Sequence, residues 1–201
     1  MTPMRVLPMV SLVALVALVA LGAGCAKEQT TTSSTTDGTA AAPADSTAPA
    51  STEATEGKAT PAFSVTASDG TKIDSAALKG KPIVLYFYPK DETPGCTTEA
   101  CSFRDAWDKL AKSGVIMVGV STDTDESHKA FTAHHKLPFH LVSDPEGKLA
   151  KLFGVTVDAR AEGSYMSRQT IVIGADGNVK KIYRKVDVTT HAAEIGADLG
   201  V

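Results

Sequence analysis

Two of the three cysteines, Cys96 and Cys101, lie five residues apart in the stretch YPKDETPGCTTEAC, residues 88–101. Thr93-Pro94-Gly95 directly before Cys96 reads as a helix start, with Thr93 as N-cap and Pro94 at the first helical position. In a capping box the third residue after the cap reaches back toward it. That puts the Cys96 sulfur near the Thr93 hydroxyl and the unpaired N–H groups of the first turn. Such donors favour thiolate over thiol. The helix dipole contributes only ~0.3–2 kcal/mol of this preference, so a fixed cation is expected beside the sulfur. Arg168, heading the apolar run QTIVIG, is the candidate. Asp91 and Glu92 would oppose an anion, and they are expected to face solvent.

A thiolate held this way can attack an electrophilic oxygen. Attack on a peroxide O–O bond builds charge on the departing oxygen, where Thr93, Arg168 and the Cys96 backbone N–H could meet it. The product is a sulfenic acid, which a second thiol condenses to a disulfide, and Cys101 is near enough in sequence to serve. A purely structural bridge is the plainer reading, but over five residues it closes a small loop and stabilises little. A general thiol–disulfide exchanger uses Cys-x-x-Cys, and no such spacing occurs in the chain.

The surrounding elements suit the chemistry. FSVTASDGTKIDSAAL carries an Asp-Gly turn between short alternating runs, a hairpin signal. KPIVLYFYP, residues 81–89, reads as a buried strand ended by Pro89, and VIMVGVST, residues 115–122, as a second. Between them, Ala100, Phe103, Trp107, Leu110 and Ala111 recur at helical spacing, with Gly114 past the end, so Phe103 and Trp107 are expected in the core. DESHKAFTAHHK reads as a helix, FHLVSD as a strand, and Gly147–Phe153 as a short helix. QTIVIGADGNVKKIY reads as a hairpin about Asp176-Gly177, and a closing helix runs from Thr189 to near Gly200. Alternating strands and helices with a closing hairpin predict an α/β fold with a mixed central sheet flanked by helices.

The run Pro89-x-x-x-Thr93-x-x-Cys96 after an aromatic-rich strand resembles the peroxiredoxin active-site signature. The longer string FYPKDETPGCTTEACSFRD, together with GVSTD and RQTIVIGADG, is similar to the bacterioferritin-comigratory-protein (peroxiredoxin Q) subfamily over nearly all of residues 59–201. The resemblance implies a thioredoxin-like fold of the peroxiredoxin type. It implies a thiol peroxidase for hydrogen peroxide and organic hydroperoxides, with Cys96 peroxidatic and Cys101 resolving. It further implies that Pro89 shields the site and that Thr93 and Arg168 hold the peroxide and the thiolate. A thioredoxin or thioredoxin-like protein is the implied reductant. The expected assembly is a monomer, and no cofactor, metal or haem is expected. Copper chaperones of the same general layout, the alternative considered, space their cysteines four apart. The candidate ligands for that reading, His128, His134, His135, His140 and His191, read as solvated surface among charged neighbours.

The front end differs in kind. Residues 1–24 hold Arg5, an apolar run from Val6 to Leu21, then Gly22, Ala23 and Gly24 before Cys25. This is the pattern of an export signal. The run falls short of the ~20 apolar residues of a membrane span and contains Pro8. Small residues before Cys25 resemble a lipoprotein processing box, although Gly22 stands where that box usually has Leu. Cys25 is thus expected to be lipidated, anchoring an exported chain to a cell-envelope membrane. Of the 33 residues 26–58, 25 are Ala, Thr, Ser, Pro or Gly and none is Val, Ile, Leu, Met or aromatic, so residues 25–58 read as a disordered linker. Residues 59–201 remain as one domain. A net charge of −3 without a Lys/Arg cluster leaves no footprint for nucleic acid.

Overall fold

IVLYF and IMVGVS form adjacent parallel strands whose side chains alternate into two cores. The computed structural model describes residues 53–201. The elements in chain order are β1 (Ser64–Thr66), β2 (Lys72–Asp74), β3 (Ile83–Phe87), α1 (Pro94–Asp105), α2 (Trp107–Leu110), β4 (Ile116–Ser121), α3 (Asp125–His135) and β5 (His140–Ser143). There follow α4 (Lys148–Leu152), β6 (Val157–Arg160), β7 (Gly163–Met166), β8 (Gln169–Ile173), β9 (Val179–Tyr183) and α5 (His191–Leu199). The five-stranded sheet has the order β5-β4-β3-β8-β9. β3 pairs parallel with β4, and β4 with β5, while β8 lies antiparallel to both β3 and β9. The expected mixed sheet flanked by helices is therefore present.

Ile83, Leu85 and Phe87 of β3 face a core with Phe63, Leu149 and Phe153, while Val84, Tyr86 and the following Tyr88 face one with Phe103, Phe131 and Ile195. The second core is roofed by α1, α3 and α5, and it is the layer that holds Cys96. Tyr86 and Gly119 are register neighbours on β3 and β4. A Cβ at Gly119 would lie 2.6 Å from the Tyr86 ring, so only glycine lets the phenol lie across the strand there.

Three expectations change. The long helix from Pro94 breaks at Ala106, where ψ is −1°; α2 and a short 3-10 turn then finish the segment, closed by Gly114 in the left-handed region. A hairpin of β6 and β7 occupies residues 157–166, where the sequence predicts no strand. Its weakly apolar VDAR and GSYM carry little periodic signal. Residues 53–58, read as linker, pack against the sheet. Gly57 N–H donates to the Val179 carbonyl at 2.8 Å, Glu56 accepts the Ile182 N–H at 2.7 Å, and Ala54 is buried. An edge strand's unpaired backbone groups can recruit a segment with few apolar side chains, which composition does not reveal. The leader 1–24, Cys25 and the linker up to residue 52 lie outside the described residues. Among the described residues no helix is long and apolar enough to cross a membrane.

Candidate active site

β3 delivers the chain through Pro89 into a tight turn, and the turn starts α1. Arg168 stands immediately before β8, the strand paired antiparallel to β3, with Gln169 opposite Phe87. The ends of these two strands thus bring residues 72 positions apart together. Cys96, 2% exposed, receives a hydrogen bond from Arg168 Nη2 at 3.1 Å. Gly95 leaves the space: a Cβ there would come within 3.3 Å of that same nitrogen.

Arg168 Nη1 binds the Glu99 carboxylate. Glu99 lies three residues after Cys96, hence on the same helix face. It is fully buried, and its Oε1 has no partner among the described residues. Burial pushes its carboxyl up to about 7, although the Arg168 charge pulls the other way. Nothing in its immediate sequence marks Glu99 as part of a site; its i+3 spacing from Cys96 is the one signal the sequence carries. A proton on Glu99 leaves the Arg168 charge free for Cys96, and its loss ties that charge to the carboxylate.

The raised value also predicts a pH-dependent stability. Because Glu99 holds its proton more tightly folded than unfolded, its contribution is fully present below the ordinary glutamate range near 4.5 and is lost as pH rises through about 7. Between pH 5 and 8 the wild type is expected to lose on the order of 2 kcal/mol relative to Glu99→Gln. Urea unfolding of both proteins at the two pH values reads this, and parallel losses would contradict it.

Thr93 occupies the N-cap with extended backbone, as expected, but its side chain accepts nothing from the helix. Its hydroxyl donates instead to the Lys90 carbonyl at 2.9 Å. Glu92 has a φ of 57°, the left-handed region that the third position of a type II turn requires, and this folds Thr93 back onto Lys90. The capping box with Cys96 is thus not formed. Pro89, half-buried, ends the strand just before this turn.

Asp91 is not in solvent. It is buried, accepts hydrogen bonds from Tyr88 Oη and Ser127 Oγ at 2.7 Å each, and lies 2.9 Å from His128 Nδ1. Burial alone would push its carboxyl up, but His128, Ser127 and Tyr88 hold it below the usual range. Its backbone N–H donates to Asp123 at 2.8 Å. The network pins the turn before α1 to the start of α3. His128 and His191, read as surface residues, are fully buried. His128 shares an α3 face with Phe131, and His191 lies against Phe103 and bonds Thr170 at 2.8 Å. Glu92, by contrast, is exposed, and so is His134.

Cys101 is partly buried on the same helix, its Sγ 3.8 Å from His135 Nδ1. Both cysteines are free thiols. On a regular helix, residues five apart have Cα atoms ~8.7 Å from one another, whereas a disulfide spans ~4.4–6.8 Å. So the structure brings Cys96 to Arg168 and Glu99, places Pro89 and Thr93 at the helix entrance, and holds Cys101 out of bonding range.

Residues 57–182 match the model of the AhpC/TSA family. The chain is similar to the chloroplastic peroxiredoxin Q of Sedum lineare, 45% identical over 129 residues, which cover 64% of this chain and 68% of the relative. Among solved structures it is similar to the peroxidoxin BcpB of Mycobacterium tuberculosis, with TM-score 0.66 and 32% identity over 74% of this chain and 97% of the other. It is also similar to the bacterioferritin comigratory protein of Xanthomonas campestris, a structure concerned with alkyl peroxide reduction. That match has TM-score 0.62 and 34% identity over 69% and 90% of the two chains.

Proposed function

This chain belongs to the AhpC/TSA family as a thiol peroxidase of the bcp/peroxiredoxin Q group, and on that premise we propose how its own residues divide the reaction. Its fold is the thioredoxin-like one of that group. The copper-binding alternative has no support among these relatives.

Cys96 is the thiol that peroxide oxidises. The observation that carries this assignment is the 3.1 Å bond from Arg168 to its sulfur, at the start of a helix and sealed from bulk solvent. The thiolate attacks one peroxide oxygen, the O–O bond breaks, and the sulfur becomes a sulfenic acid. The departing oxygen leaves as hydroxide or alkoxide and takes a proton to become water or an alcohol. The Arg168 guanidinium and the first-turn N–H groups stabilise its charge. Hydrogen peroxide and alkyl hydroperoxides are the substrate class. Thr93 takes part once its hydroxyl turns from the Lys90 carbonyl toward the bound peroxide, and Pro89 limits access of water at the turn.

Cys101 resolves the sulfenic acid. Its sulfur attacks the Cys96 sulfur, an S–S bond forms, the S–O bond breaks, and the oxygen leaves as water. The helical spacing forbids this in the folded turn, so residues around Pro94 and Gly95 must unwind first. First-turn N–H groups have no intrahelical partners, so the break is least costly there. Amide hydrogen exchange at residues 96–104 should then be markedly faster in the oxidised protein than in the reduced one. Equal protection, with the disulfide confirmed by mass, would rule out resolution by unwinding of this helix.

A thioredoxin-like protein returns the disulfide to thiols, the enzyme works as a monomer, and Cys25 carries a lipid anchor in the cell envelope. Labelled palmitate should enter the native chain and not Cys25→Ala; an unlabelled native chain would remove the anchor from this scheme.

A further inference from the structure

Three potential metal ligands converge beside the resolving thiol. Glu92 Oε1 lies 3.0 Å from His134 Nδ1, and Glu92 Oε2 lies 3.0 Å from His135 Nε2. Ligand atoms of the three residues all lie within 4.8 Å of one another. Consecutive helical residues ordinarily diverge by ~100°, yet these two rings are 4.3 Å apart and tilted by 36° at the end of α3. Glu92, with its left-handed backbone, turns its carboxylate toward both. Each imidazole nitrogen needs a proton to bond that carboxylate, whereas one divalent cation could take all three lone pairs.

We propose that Glu92, His134 and His135 form a binding site for a divalent metal of the zinc class, and that the bound metal slows resolution by Cys101. Two imidazoles and one carboxylate, with room for water, are a ligand set of open zinc sites. Tetrahedral bonds of ~2.0–2.2 Å set neighbouring ligand atoms roughly 3.4 Å apart, inside the 4.8 Å within which the three ligand atoms lie. His134, 69% exposed, leaves the site accessible from solvent.

The consequence for resolution follows from connectivity and rests on the roles given above to Cys96 and Cys101. Glu92 stands four residues before Cys96, in the turn that positions α1, while His134 and His135 belong to α3. Metal binding ties the two elements together. His135 reaches the other way as well, with Nδ1 at 3.8 Å from Cys101 and its carbonyl accepting from Arg104 of α1 at 2.9 Å. A metal that binds the folded turn but not the unwound one makes the unwound form rarer by the factor one plus the ratio of free metal to its dissociation constant. At ten times that constant, disulfide formation is about elevenfold slower.

The test has two arms on the full-length reduced protein. First, zinc is titrated in competition with a chromogenic chelator. Wild type should bind it, Cys101→Ser should bind it equally, and His134→Ala should bind it at least about tenfold more weakly. Equal affinity in wild type and His134→Ala, or loss of binding in Cys101→Ser, overturns the site. Second, one equivalent of hydrogen peroxide is added with and without zinc at ten times its dissociation constant, and disulfide is counted by quenched mass analysis. Zinc should slow its formation about elevenfold in wild type and at most about twofold in His134→Ala. An unchanged wild-type rate overturns the effect on resolution. A wild type that forms no disulfide even without zinc instead overturns the cysteine roles, and the metal site then stands or falls on the first arm.

Discussion

Cys96→Ser loses peroxide turnover with every reductant, by several orders of magnitude, the scale on which an enzyme loses its nucleophile. The reason is local. The Cys96 sulfur is the atom that Arg168 addresses, and a serine hydroxyl at the same place stays protonated and cannot accept an oxygen atom from peroxide. Cys101 cannot substitute: it faces His135 on the next turns of α1, away from the Arg168 guanidinium. Serine is nearly isosteric with cysteine, so the fold should be kept, which circular dichroism checks. Turnover at the native rate in a folded Cys96→Ser protein would end the assignment.

Arg168→Met should slow oxidation of Cys96 by ~100-fold or more, the scale of losing a donor aimed at transition-state charge. Methionine keeps much of the length and removes the charge and every donor. The substitution also strips buried Glu99 of its partner, so a loss of stability is expected alongside. Arg168→Lys separates the two effects. A lysine restores charge but not the fork that addresses Cys96 and Glu99 together, so it should recover stability more than rate. Single-turnover oxidation by hydrogen peroxide, followed by intrinsic fluorescence of Trp107, measures the rate. An Arg168→Met protein that oxidises as fast as wild type would remove this residue from the mechanism.

The placement of Cys96 at a helix start is legible because its signals are local. Thr-Pro-Gly-Cys is turn and helix-start chemistry, and two apolar runs on either side demand a sheet that carries it. Arg168 could be named because a thiolate needs a cation and the run QTIVIG had to lie in the same sheet. What stayed hidden depends on contacts distant in sequence. Asp91 looks like a surface acid until α3 brings Ser127 and His128 against it. His128 and His191 look solvated because their charged neighbours mask the buried face of a helix. Glu99 reads as one more acid on a polar helix, and only the approach of Arg168 gives it a purpose. Thr93 was placed correctly at the helix start, yet its hydroxyl turned to Lys90 because the left-handed Glu92 closed the turn.

The most direct test of the whole account is one equivalent of hydrogen peroxide added anaerobically to the fully reduced full-length protein, followed by blocking of remaining thiols and peptide mapping by mass. Wild type should yield a single intramolecular Cys96–Cys101 disulfide, and Cys101→Ser an oxidised Cys96 trapped as its sulfenic acid. A Cys96 that remains a free thiol while peroxide is consumed would contradict it.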